Sequence, residues 1–181
     1  MTPTETLKHE HDIVLLILDA AEREARSIRE TGTAHVEQIG EMVDFFRNFV
    51  DRCHHGKEEK HLFPKMQEKG LPVGAGPIAV MLHEHEQGRA AVAAIADAVA
   101  RLKAGDAQAA GALSDGLLAY AGLLRSHISK ENNVLFPMAD QMLSANDQQL
   151  LATSFNKVEA EEMGEGTHER YHQLAHRLGR T

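Results

Sequence analysis

Tryptophan is absent from this 181-residue chain, which carries only two tyrosines and one cysteine. A single thiol, Cys53, cannot close an internal disulfide, and it cannot build a cysteine-rich zinc or iron–sulfur site, because both need several thiolates. Its expected role is that of a small buried apolar residue. Proline is limited to five residues and long apolar runs are missing. The longest early run, residues 13–18, falls far short of the about 20 apolar residues that a membrane-spanning helix needs. The start, MTPTETLKHEHD, has no basic stretch followed by an apolar one, so no secretory leader is expected. The glycine patterns that cradle phosphates, GxGxxG and GxxxxGK followed by Ser or Thr, do not occur. Basic charge is also short: 19 Lys and Arg stand against 27 Asp and Glu, for a net charge of -8. A general nucleic-acid binder needs a basic face to release counterions, so nucleic acid is excluded as a partner. A soluble cytoplasmic protein without membrane contact is the expectation.

What the chain has in quantity is strong helix formers (Ala, Leu, Glu, Gln, Arg and Lys) and histidine, of which there are twelve. It also repeats itself. HEHD at 9–12 and HHGKEEKHLFP at 54–64 are matched by HEHE at 83–86 and HISKENNVLFP at 127–137. His11 and His85 lie 74 residues apart, and His54 and His127 lie 73 apart, so one helix pair is used twice. A proline follows each HxxxE glutamate by six positions, as Pro64 and Pro137, and is expected to disrupt the helix just past the HxxxE turn.

Apolar periodicity predicts helices over 4–30, 35–69, 75–103 and 107–141, broken at residues 31–33, at 70–77 and at 105–106. Long amphipathic helices with short connections imply an all-α fold, an antiparallel up-down-up-down four-helix bundle over residues 1–142. Residues 143–181 form a helical extension packed on it. Its two helices are expected near 145–162 and 167–178, opened by Ser144 and Thr167 and separated by Gly164 and Gly166.

Helical phase, at about 100° per residue, selects among the histidines. His11 shares a face with Leu7, Val14, Leu15 and Leu18, whereas His9 points away. His54 and Glu58 continue the stripe Val43, Phe46, Val50 and Leu62. The rival pair His55 and Glu59 falls in a polar row with Asn48, Asp51 and Arg52, and is assigned to solvent. His85 lies among Ile78, Met81, Gly88 and Val92, while His83 shares its row with Glu86, Gln87 and Asp97. His127 and Glu131 extend Leu117, Tyr120, Leu124 and Leu135. Lys57, Glu59 and Lys60 are read as a solvated face, and Met66, Met81 and Met138 as core filling.

Each helix therefore places one histidine in the core, and two helices add a glutamate one turn later. Buried carboxylates without partners are costly, and bound cations remove that cost. Four imidazoles and two carboxylates, without thiolate, suit iron; manganese or zinc are possible substitutes. Six side chains exceed the four corners of a tetrahedral zinc site. Two octahedral ions offer twelve positions. Four His, two bridging Glu and a bridging oxide or hydroxide fill ten of them, so one stays open on each ion.

The pattern of His11, His54–Glu58, His85 and His127–Glu131, with LFP after both HxxxE pairs, resembles the bacterial hemerythrin-like family, the HHE cation-binding domain. The resemblance covers roughly the first 140 residues. It implies a four-helix bundle around a non-haem di-iron centre with these six residues as metal ligands. It also implies binding of O₂, nitric oxide or peroxide in redox or stress response. An enzymatic version would be an oxidoreductase acting on peroxide or nitric oxide. The alternative is an iron- or redox-responsive interaction module without turnover, whose protein partner the sequence does not name. Oxygen-carrying members have a fifth His one turn from the third-helix ligand. Met81 and Arg89 stand there, so both irons are expected to stay open. In its motifs the chain is similar to di-iron iron-centre repair proteins, whose extra N-terminal cysteine-containing domain is expected to be absent. In the tail, His168 or Glu169 is a candidate extra ligand or ligand-supporting group, and Tyr120 a candidate pocket-lining residue. His172 and His176 point away from the tail's apolar face.

Overall fold

The computed structural model describes residues 1–164 and 166–179, and all regular structure among them is helical. Residues 165, 180 and 181, inside the expected 143–181 extension, lie outside the described residues. Helix α1 (Pro3–Thr31) starts from a capping box: the Thr2 side chain accepts from the Glu5 amide, and the Glu5 carboxylate accepts from the Thr2 amide. It stops at Gly32, whose φ of 72° is left-handed and lets its amide reach the Ile28 carbonyl.

The second segment is α2 (Val36–Phe45), π-helical turns over Phe46–His55 and Glu58–Leu62, and α3 (Phe63–Glu68). The third is α4 (Gly76–Lys103). The fourth is α5 (Ala109–Lys130), a π-helical turn over Glu131–Leu135, and α6 (Phe136–Met142). The tail comprises α7 (Ala145–Val158), a π-helical turn Glu159–Met163, and α8 (Thr167–Gly179). Every expected helix is found within two residues of its predicted bounds.

The prolines behave differently from expectation. Helix runs on through Pro64 and Pro137 because the turn before each one widens. The Phe63 amide donates to the Glu58 carbonyl, and the Phe136 amide to the Glu131 carbonyl, each five residues back. A proline ring collides with the carbonyl four residues before it, and a widened turn moves that carbonyl aside. Both widened turns begin at the glutamates of the HxxxE pairs.

Contacts between segments run in opposed numbering. Thr4 donates to Asp140 at 2.6 Å, while Ser114 donates to the Ala25 carbonyl at 2.8 Å. Likewise Glu10 meets His54 and Glu24 meets His35; Asp51 meets Arg89 and Glu59 meets His85. A side chain at Gly116 would come within 3.2 Å of Ile95, so glycine there permits close approach of α5 to α4.

The apolar core is divided in two. One cluster holds Val14, Phe46, Phe49, Val92, Leu117 and Leu124. The other holds Leu7, Leu62, Phe63, Met66, Met81 and Phe136. Between them, on all four segments, lies the layer of histidines and glutamates. Tail residues join both clusters, Tyr171, Ala175 and Leu178 the first and Leu151 and Phe155 the second. The extension thus buries its apolar stripe against the same core. No helix among the described residues is long and apolar enough to cross a membrane.

Candidate metal centre

The structure brings all six predicted side chains together: His11, His54, Glu58, His85, His127 and Glu131 are each at most 2% exposed. They form two imidazole pairs. His11 Nε2 and His54 Nε2 are 3.0 Å apart, and His85 Nε2 and His127 Nε2 are 3.2 Å apart. The glutamates lie between the pairs. Glu58 sends Oε1 to His54 at 3.6 Å and Oε2 to His85 at 3.3 Å. Glu131 sends Oε2 to His11 at 3.1 Å and Oε1 to His127 at 3.2 Å. Each carboxylate therefore offers one oxygen to each pair.

The outer nitrogen of every one of these imidazoles is held by an acceptor. His11 Nδ1 donates to Asn132 Oδ1 at 2.8 Å and His85 Nδ1 to Glu59 Oε1 at 2.7 Å. His54 Nδ1 donates to Glu10 Oε2 at 2.8 Å and His127 Nδ1 to Glu84 Oε2 at 2.9 Å. A carboxylate can only accept, so in the neutral ring the proton sits on Nδ1 and the Nε2 lone pair points inward. Metal-binding histidines are held in this way. The supports repeat with the chain. Glu10 and Glu84 precede His11 and His85, Glu59 and Asn132 follow Glu58 and Glu131, and Lys57 and Lys130 pair with Glu10 and Glu84. Sequence reasoning missed these six residues, yet the 73–74 residue offset that matched the six candidate ligands also matches them.

The donor set fits two cations. All four carboxylate oxygens of Glu58 and Glu131 are buried without a hydrogen bond. Two pairs of inward lone pairs face each other, an arrangement that repels unless a cation or proton lies between them. Two donors each about 2.1 Å from one ion and at right angles are about 3.0 Å apart. The nitrogen–nitrogen and nitrogen–oxygen separations within each half, from 3.0 to 3.6 Å, are near that edge. In the metal-free state, protons serve instead. Burial alone would make His85 easier to deprotonate, but Glu58 and Glu59 beside it raise its pKa to about 9. Glu131 and Glu58 raise His11 and His127 in the same way against burial. Against its own burial, Glu131 is held well below the usual carboxylate range by His127 and His11.

Three assignments on the second segment are corrected. His55, expected in solvent, is 4% exposed and stacks on His85 at 3.8 Å between ring centroids. Glu59, expected in the same polar row, holds His85. Lys57, expected on a solvated face, has none of its surface exposed and lies between Glu10 and Glu159. The cause is the π-helical stretch Phe46–His55. Its wider turn rotates each residue by less than the α-helical angle on which the phase argument rested, so Cys53, His54 and His55 are all buried. His9 and His83 are exposed, as expected.

In the tail, Glu169 is exposed and caps nothing in the site; it accepts from Gln173 at 3.1 Å. His168 does not reach the imidazole pairs. Its Nε2 lies 3.9 Å from Glu10 Oε1, one carboxylate removed from His54. Glu10, Glu159 and His168 come close enough together for a cation, but the Lys57 ammonium already serves both carboxylates. Burial favours the neutral Glu10 carboxyl, yet His168, His54 and Lys57 keep it ionised. Tyr120 does line a cavity of about 170 Å³, with Phe46, Asp51, His55, His85 and Gly88, whose rim includes the exposed Arg47. Arg89 is no ligand; it donates to Asp51 at 2.9 Å and Glu59 at 2.7 Å.

The model of the hemerythrin HHE cation-binding domain matches residues 2–139. An uncharacterized protein of Mycobacterium tuberculosis, Rv1995, is 25% identical over 165 residues, which are 91% of this chain and 64% of that protein. The iron-sulfur cluster repair protein YtfE of Edwardsiella ictaluri is 30% identical over 138 residues, 73% of this chain and 59% of that protein. The chain thus spans less than two thirds of the length of either relative.

Proposed function

The chain belongs to the hemerythrin HHE cation-binding domain family, and from that premise we propose that it holds two iron ions and binds or reacts with O₂, nitric oxide or peroxide in redox or stress response. In this reading His11 and His54 hold one ion, His85 and His127 the other, and Glu58 and Glu131 bridge them. The observation that carries it is the pair of fully buried glutamates that each turn one oxygen to each imidazole pair. Two adjacent redox-active ions supply two-electron chemistry on a small ligand. Zinc or manganese would fit the same donors.

The chain's own residues do the rest. Glu10, Glu59, Glu84 and Asn132 hold the outer nitrogens, so that the four Nε2 atoms face inward before an ion arrives and exchange their protons for it. The two apolar clusters exclude water above and below the polar layer. The cavity beside Tyr120 is a route by which a small ligand approaches from the Arg47 side. Opposed numbering of the interhelical contacts supports an antiparallel up-down-up-down bundle over 1–142, with 143–181 packed on it. The likeness to an iron-sulfur cluster repair protein supports a stress-linked role. The lone buried Cys53, whose thiol is pushed up to about 12 by burial, suits a reducing, cytoplasmic setting.

The test is elemental analysis of the purified protein, with optical spectra of its oxidised form and of its reduced form under nitric oxide and peroxide. Two irons per chain and ligand-dependent spectra are expected. A protein that takes up no redox-active metal would overturn the reading.

A further inference from the structure

The residues that form and support the two imidazole pairs recur in both halves of the repeat. His11 and His85, His54 and His127, Glu58 and Glu131, Glu10 and Glu84, and Lys57 and Lys130 correspond at the 73–74 residue offset. Asn132 stands for Glu59, and both accept an imidazole proton. His55, however, corresponds to Ile128, which is buried and has no donor atom. An apolar residue suffices at that position in one half, so the imidazole in the other half is not required by packing.

His55 is 4% exposed, and neither of its ring nitrogens has a hydrogen bond. A neutral imidazole left unpaired in a core loses the water contacts of two polar atoms and gains nothing unless a ligand takes one of them. One nitrogen has an identifiable neighbour: Nδ1 lies 3.5 Å from Asp51 Oδ1, itself held by Arg89 at 2.9 Å. This places a carboxylate near the outer nitrogen, as at His54, His85 and His127. A donor nitrogen of His55 lies within 4.8 Å of donor atoms of Glu58, His85 and His127, and this group of four is fully buried.

Resting on the two-ion reading above, we infer that His55 is a fifth imidazole ligand, to the ion held by His85 and His127. It comes from the second segment, from the residue adjacent to a ligand of the other ion. The widened turn makes this possible, since it turns consecutive histidines toward opposite halves of one site. The two ions are then unequal. The His85–His127 ion would have three imidazoles and two carboxylate oxygens, and the His11–His54 ion would have two of each. A small ligand entering through the cavity beside Tyr120 would meet His55 ahead of the His85–His127 ion and would have to displace it to bind there.

Two variants test this. His55→Phe keeps the stacking on His85 without a donor atom. His55→Gly leaves space at the cavity of about 170 Å³ that imidazole from solvent can enter. Each is loaded with ⁵⁷Fe, checked for helical content by circular dichroism, and compared with the wild type by Mössbauer spectroscopy and iron titration. The expected wild-type spectrum has two unequal iron environments. His55→Phe is expected to alter one of them only and to weaken one of the two ions by at least about tenfold. Millimolar imidazole is expected to restore the spectrum of His55→Gly. A wild type with two irons whose spectrum and titration are unchanged in a folded His55→Phe would overturn the fifth ligand and leave the two-ion site standing. A wild type that binds fewer than two irons would overturn both.

Discussion

Glu10 accepts the Nδ1 proton of His54 across 44 residues of sequence, at 2.8 Å. The same Glu10 carboxylate pairs with the fully buried Lys57 through its other oxygen. On the opposite side, Glu84 relates to His127 and Lys130 in the same way. Each carboxylate sits one residue before an imidazole of its own helix and supports the imidazole of the next, which ties the geometry of one pair to the packing of two helices.

Glu10→Gln and Glu84→Gln are each predicted to weaken metal binding by about 10–100-fold while leaving the fold intact. Competition with a metal-binding dye measures it. A neutral amide makes the imidazole less basic and no longer enforces its tautomer. Unchanged affinity in both variants would mean that these carboxylates serve packing alone.

Glu58→Ala and Glu131→Ala are predicted to lower bound metal well below two ions per chain, because each removes one oxygen from both halves. Elemental analysis after gel filtration checks this; two ions retained in both variants would exclude bridging roles. His83→Ala, at an exposed position, is the control expected to keep both.

Protein stripped by chelator is predicted to be most stable at about pH 4.5–6.5. The raised histidines contribute fully below their ordinary 6.5 and lose that contribution as pH rises through their folded values, about 9 for His85. Glu131, held below its ordinary 4.5, contributes above that value and loses it as pH falls. Ions displace the imidazole protons, so the gap between loaded and stripped melting temperatures is predicted to widen from pH 6 to 9. A constant gap would mean that the layer is solvated.

Lys57→Met is predicted to destabilise the protein by about 3–5 kcal/mol, since it strands the buried Glu10 charge. Adding Glu10→Gln is predicted to recover part of the loss. Urea unfolding of the single and double variants measures the coupling, and simple additivity would argue against a shared buried pair.

His168→Ala is predicted to leave iron content and the rate of nitric oxide binding unchanged and to lower stability by less than about 1 kcal/mol. His168 is a third exposed, at 32%, and meets the centre only through Glu10. Stopped-flow mixing checks the rate. Faster binding would mean that the tail shields an open position after all.

Helix bounds, the duplicated helix pair and the side chains His11, His54, Glu58, His85, His127 and Glu131 were legible in the sequence. Apolar stripes at helical spacing and a nearly constant repeat offset report directly which faces are buried. Tertiary structure decided the rest. His55, Lys57 and Glu59 were misplaced because a phase argument assumes about 100° per residue, and the stretch from Phe46 to Leu62 departs from it. Pro64 and Pro137 are visible in the sequence, but whether a proline ends a helix or widens its preceding turn depends on the packing that holds the flanking residues. The pairing of Glu10 with His54 or of Glu84 with His127 is likewise a contact between helices. No local pattern encodes it, and only the opposed packing of the segments brings those carboxylates to the outer nitrogens of the site.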